Sequence, residues 1–313
     1  MVWDIILLIV GFVLLVKGAD FFVDGSSSLA KLIGVPGFVI GLTVVAMGTS
    51  APEAAVSVTA SVQGLNEIAV SNVVGSNIMN LLVVAGICAV IKPYRIEKTL
   101  LRRDFPINVV LNIVLLAMLI FGKALNLLDG ILLLVLFAGY LALVLVSAFK
   151  NREMQSEDEE IRKMSPVMSV LAIVGGLAAV IIGGQLVVNN ATSIAEALGW
   201  SETFIGLTIV AIGTSLPELV TSVVAARKGE SGLALGNVIG SNLFNIMLVL
   251  GLSSSISPIL ADDSAIINVA ILLVVTALVY VACLLKKGMG RVVGGICVLS
   301  YIGYTVYLLL TTI

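Results

Sequence analysis

The sequence predicts an all-α integral membrane protein in which ten transmembrane helices form two five-helix repeats of inverted topology. Three observations carry that expectation: an extreme apolar composition, apolar runs of spanning length, and an ungapped internal repeat. Of the 313 residues 59% are hydrophobic and only 12% charged. The mean hydropathy of +1.18 exceeds what a water-soluble domain of this length carries. The runs suit helices of about 20 residues, not the short alternating segments of a membrane β-barrel.

Divided at Gly, Pro and charged breaks, the apolar runs fall at 3–24, 38–62, 68–91, 105–121, 125–147, 167–189, 203–226, 232–256, 264–284 and 291–311. Asp4 precedes the first run and no small-residue cleavage motif follows it, so this run is expected to remain as a helix. Lys and Arg crowd the loops at 31, 92–103, 150–163, 227–228 and 286–291, whereas the alternate loops hold only Lys123. The positive-inside rule then places the basic loops in the cytoplasm and both termini outside it. Cys88, Cys283 and Cys297 lie within apolar runs and read as packing residues. The absence of histidine removes imidazole metal centres, Ser-His-Asp triads and His proton relays. A net charge of -2 gives no footprint for nucleic acid. No cofactor and no obligate protein partner are expected; the lipid bilayer is the surrounding medium.

Adding 165 to positions 40–86 superposes them on 205–251 without a gap, with about half the positions identical. IGLTVVAMGTSAPE (40–53) meets IGLTIVAIGTSLPE (205–218), and NVVGSNIMN (72–80) meets NVIGSNLFN (237–245). Five spans separate the copies, an odd number, so equivalent helices enter the membrane from opposite sides. The chain therefore divides into a first repeat (1–149), a linker (150–166) and a second repeat (167–313). The linker, KNREMQSEDEEIRKMSP, is too charged for the bilayer; Glu157, Asp158, Glu159 and Glu160 within it could form a weak regulatory cation site.

The chemistry concentrates at Glu53 and Glu218, both mid-span. A charge at that depth costs roughly 2.5–3.5 kcal/mol on insertion scales, so it persists only with a partner or water. No Lys or Arg stands mid-span to pair with either, which leaves mobile cations as the natural partners; two protonated, hydrogen-bonded glutamates are the plain alternative. Thr49, Ser50, Thr214 and Ser215 supply hydroxyls for a hard-cation shell. Pro52 and Pro217 should break their helices near Gly48 and Gly213, turning freed carbonyls toward the ion. Ser76 and Asn80 stand one turn apart, as do Ser241 and Asn245, so each pair presents two oxygens on one face. Asn72, Asn77, Asn237 and Asn242 fall on neighbouring faces, as ligands or, preferentially, as braces.

GTSxPE followed by NxxGSNxxN, in two inverted copies, resembles the α-repeats of the Ca2+/cation antiporter superfamily, specifically its sodium/calcium exchangers. The resemblance spans nearly all ten helices. It implies antiport of Na+ against Ca2+ with no enzymatic activity. The ligands it implies are Glu53, Thr49, Ser50, Ser76, Asn80 and the carbonyl of Ala46, with Glu218, Thr214, Ser215, Ser241, Asn245 and the carbonyl of Ala211. Some exchangers, including K+-cotransporting ones, end the second motif in Asp; here both end in Asn, which argues for two carboxylates and no K+. The compact form fits a prokaryotic inner membrane. An H+/Ca2+ exchanger using the same glutamates as proton carriers is the nearest rival. A cation channel and an intramembrane serine enzyme stand further off, the latter lacking a base beside Ser50 or Ser215.

Overall fold

The computed structural model describes residues 2–150, 164–200, 209, 211–260 and 262–312. The linker acids 157–160 and part of the expected 203–226 span lie outside these. Among the described residues, eight helices are long and apolar enough to cross a membrane singly: α1 (Val2–Ile33), α4 (Ile68–Ile91), α5 (Leu100–Gly122), α6 (Leu127–Lys150), α7 (Pro166–Ala197), α10 (Ser231–Ile256), α11 (Asp263–Lys286) and α12 (Arg291–Leu308). The pair α2 (Gly37–Thr49) and α3 (Ala51–Val62), bent by 47°, is together long and apolar enough for a ninth. α8 (Ala211–Thr214) and α9 (Leu216–Lys228) complete the order.

α4 and α10, which carry the GSNxxN motifs, form the core: 78% and 94% of their most apolar windows are buried inside the protein, against 11–39% for the other six. The remaining long helices turn their apolar faces outward, as Phe12, Val135, Val174, Leu278 and Leu299 do. The outward apolar surface suits lipid, and burial alone marks the two inner helices.

α1 and α7 run longer than their apolar stretches predict, 32 residues each, or about 48 Å. Polar residues end the apolar runs without ending the helices. Ser28 is tied to Ser169 at 3.0 Å, and Asn190 donates to the Leu186 carbonyl one turn back at 2.7 Å. The two helices pack antiparallel through glycines. A Cβ at Gly176 would stand 2.6 Å from the Phe22 nitrogen and 2.7 Å from the Gly18 carbonyl, and one at Gly183 would stand 2.7 Å from the Gly11 carbonyl. Small residues set this backbone approach. Gly176→Val is expected to cost about 1–3 kcal/mol by overpacking. Thermal unfolding in detergent checks this; an unchanged melting temperature would contradict the close α1–α7 contact.

Two-residue antiparallel ladders fasten distant loops. β1 (Tyr94–Arg95) pairs with β4 (Gly288–Met289), and β2 (Ala124–Leu125) pairs with β3 (Ile259–Leu260). Lys123 and Lys287 end α5 and α11 in left-handed conformations, φ 53° and 51°. Tyr140 donates to Asp104 at 3.0 Å, and Tyr304 lies 3.5 Å from Asn268 Oδ1, each bond spanning 36 residues. The two halves thus carry matching features in their outer helices as well, where the sequence match has faded.

Candidate cation site

Pro52 and Pro217 sit in the first turn of α3 and α9, where an N–H has no helical acceptor and proline costs nothing. The chain therefore bends at the residue before that turn: Ser50 has φ −83° and ψ 5°, Ser215 φ −92° and ψ 6°. This corrects the expected break near Gly48 and Gly213, which lie inside α2 and α8. Nor is the Ala46 carbonyl fully freed, because it accepts the Ser50 N–H at 3.0 Å and keeps one lone pair. In the second copy the Ser215 N–H bonds to the Ile212 carbonyl at 3.2 Å.

The break delivers Glu53 and Glu218 to the first turns of new helices, where the helix dipole favours a carboxylate. Both are 0% exposed. Each is held by the other copy. Ser50 Oγ donates to Glu218 Oε1 at 2.8 Å, while Ser215 Oγ lies 3.3 Å from Glu53 Oε1 and 3.1 Å from Ser76 Oγ. Ser76 Oγ adds a bond to the same Glu53 oxygen at 3.3 Å.

The asparagines form a reciprocal clasp. Asn77 Nδ2 donates to the Asn242 carbonyl at 3.2 Å, and Asn242 Nδ2 to the Asn77 carbonyl at 3.2 Å. Asn80 Nδ2 donates to Asn242 Oδ1 and Asn245 Nδ2 to Asn77 Oδ1, both at 3.1 Å. Anchoring each Nδ2 fixes which end of the Asn80 and Asn245 carboxamides faces away from the clasp: the oxygen. Wide π-type turns begin at these residues, Asn80–Val84 and Asn245–Val249. Such turns recur at functional sites.

What remains is a set of acceptors. Glu53 Oε2, Glu218 Oε2, Asn80 Oδ1, Asn245 Oδ1 and Ser241 Oγ are all buried without a hydrogen-bond partner. Buried oxygens left so are costly and rare. Here they are oxygen atoms of the hard type a Ca2+ or Na+ shell takes. Of the other expected ligands, Thr49 Oγ1 lies 3.1 Å from the Val45 carbonyl and 3.0 Å from Asn237 Oδ1. Thr214 is half-buried, and among the described residues no hydrogen bond joins it to either glutamate.

A model of the sodium/calcium exchanger protein family matches residues 3–146 and again 168–310. The chain belongs to the sodium/calcium exchanger family. Similar proteins include the putative antiporter CaxA of Alkalimonas amylolytica, 38% identical over 98% of both chains. The sodium/calcium exchanger MaX1 of Methanosarcina acetivorans is 34% identical over 97% of this chain and 98% of its own. A structure of the sodium-calcium exchanger NCX_Mj soaked with zero Na+ and Ca2+ superposes with a TM-score of 0.87 at 33% identity, covering 98% of this chain and 99% of that one.

In this exchanger two residues escaped the sequence reading. Ser57 and Ser222, 0% exposed, stand one turn after Glu53 and Glu218. Asn72 Nδ2 donates to Ser57 Oγ and Asn237 Nδ2 to Ser222 Oγ, both at 2.9 Å, pinning each glutamate helix to its neighbour. Asn72 also donates to the Glu53 carbonyl at 3.2 Å. The signal was available: PEAAVS (52–57) and PELVTS (217–222) share PExxxS at the 165-residue offset.

Proposed function

We propose that this exchanger moves Ca2+ against Na+ by alternating access, without K+, at a midplane site whose charge comes from Glu53 and Glu218. The observation that carries the reading is a pair of buried carboxylates hydrogen-bonded across the two copies of the motif, each left with one unpartnered oxygen, together with three further unpartnered oxygens on the same motifs. Ser50, Ser76 and Ser215 complete the first ring of oxygens, with Thr49, Thr214 and the carbonyls of Ala46 and Ala211 behind them. The paired motif segments, each bonded to the other's glutamate, support two inverted five-helix repeats in ten spans, with a linker between. The charge asymmetry of the loops supports cytoplasmic basic loops and extracytoplasmic termini.

With both glutamates ionised the empty site carries -2, and closing it over no ion costs several kcal/mol in desolvation. One Ca2+ neutralises it, as does a set of monovalent ions, so the loaded carrier switches and the empty one does not. Obligatory exchange follows from charge. Export of Ca2+ against a 10,000-fold gradient and 100 mV needs about 10 kcal/mol. Each Na+ entering down a tenfold gradient supplies about 3.7 kcal/mol, so two fall short and three suffice.

The test is Ca2+ uptake into proteoliposomes loaded with Na+ and diluted into Na+-free, K+-free buffer. Uptake that requires internal Na+ is the expected result; uptake driven only by a pH gradient would transfer the protein to the proton-coupled class. Asn245→Asp adds a third carboxylate to the site. It is expected to shift the pH dependence of uptake toward neutral pH and to change its response to K+. Uptake identical to the native protein across pH and K+ would remove Asn245 from the shell.

A further inference from the structure

We infer that the basic surface built by the β1–β4 ladder binds anionic phospholipid headgroups. The inference goes beyond ion exchange and does not depend on which ions are moved. The ladder pairs Tyr94 with Met289 and Arg95 with Gly288, and the Ile96 N–H extends it to the Lys287 carbonyl at 3.1 Å. Two loops nearly two hundred residues apart in the chain thereby become one surface. Tyr94 and Met289 point inward, 6% and 2% exposed, and the Tyr94 hydroxyl is fixed 3.1 Å from the Ala85 carbonyl. A Cβ on Gly288 would collide with the Tyr94 carbonyl, so the register has no room to slip. Arg291 Nε donates to the Val90 carbonyl at 3.1 Å and locks the far edge.

Six cationic side chains, Arg95, Lys98, Arg102, Lys286, Lys287 and Arg291, are exposed on this surface. Two acids accompany them, one exposed and one buried. Glu97 is exposed on the same surface, with Oε1 3.7 Å from where a Gly232 Cβ would stand, and leaves the six cations in large excess. Asp104 is 0% exposed and consumed by Arg103, at 3.0 and 3.1 Å, and by Tyr140 at 3.0 Å. Lys228, on another basic loop, is paired instead, 2.7 Å from Asp24 and 3.3 Å from Asp20. Charge directing topology works from either loop separately; it gives no reason to staple two basic loops together.

The depth is that of a headgroup. Leu285, Val292 and Ile296 begin immediately beside Lys286 and Arg291, 76%, 77% and 58% exposed, so the cations stand where the apolar surface starts. Lys and Arg clustered at that level attract anionic lipids, and acyl chains can follow the apolar strip below.

The experiment follows the melting temperature of the full-length protein in neutral detergent while phosphatidylglycerol, phosphatidylcholine or inorganic phosphate is added. Phosphatidylglycerol should raise it saturably and the other two should not. The triple variant Arg95→Gln/Lys286→Gln/Lys287→Gln should require about tenfold more phosphatidylglycerol for half the shift. The charge-preserving Arg95→Lys should respond as the native protein does, which separates lost charge from a damaged ladder. Equal shifts from phosphatidylcholine, a shift from phosphate alone, or an undiminished shift in the triple variant would each overturn the inference.

Discussion

Glu53→Gln and Glu218→Gln should each lower Na+-driven Ca2+ uptake to the background of protein-free vesicles while leaving the protein folded. The amide keeps the shape of the side chain and can still accept the Ser50 or Ser215 bond at Oε1. What it loses is one of the two charges facing the ion. At an effective dielectric of about 20, a unit charge about 4 Å from another contributes on the order of 4 kcal/mol, and more against a divalent ion. That corresponds to roughly a thousandfold in affinity or beyond. Stability should move the other way. In ion-free buffer a buried carboxylate with an unpartnered oxygen is a burden, and the neutral amide removes it, so the melting temperature should hold or rise. Initial uptake rates and ion-free melting curves, measured together, check both halves. Uptake at half the native rate by either variant would refute the assignment of the charge.

Asn242→Ala should weaken Ca2+ half-saturation about tenfold to a hundredfold, as loss of a ligand-orienting residue commonly does. The substitution removes the acceptor that holds the Asn80 amide and the donor that holds the Asn77 carbonyl. Asn80 is then free to present its nitrogen to the cation, and two buried groups lose their partners at about 1–3 kcal/mol each. Asn77→Ala should behave alike, because Asn77 accepts from Asn245 Nδ2 and donates to the Asn242 carbonyl. Half-saturation by Ca2+ and the melting temperature are the two readouts. A lowered melting temperature with unchanged Ca2+ affinity would show that the clasp only joins helices and does not orient ligands.

Much of this site was legible because its chemistry is expensive. A glutamate at mid-span, flanked by proline and hydroxyls and repeated at a fixed offset, has few explanations, and the structure joins Ser50 to Glu218 and Ser215 to Glu53. The membrane class was legible from composition alone. The point of each break was not. A proline says that a helix is interrupted; where depends on whether it kinks the old helix or starts a new one, and here Pro52 and Pro217 start new ones after Ser50 and Ser215. The cross-copy clasp of Asn77 and Asn242 was hidden because spacing along a helix shows which residues share a face and not which helix that face meets. The lengths of α1 and α7 were underestimated because the apolar runs stop near positions 24 and 189, whereas polar residues beyond them, Ser28 and Asn190, find bonds within the helix pair. The ladders were invisible for a simpler reason: a two-residue strand has no period.

The most direct test is a crystal of this protein soaked in Ca2+ and recorded at long wavelength for the anomalous signal of the ion. The account predicts one dominant peak between Glu53 and Glu218, about 2.3–2.6 Å from an oxygen of each and weakened by competing Na+. A dominant peak elsewhere, or one contacting only a single glutamate, would contradict it.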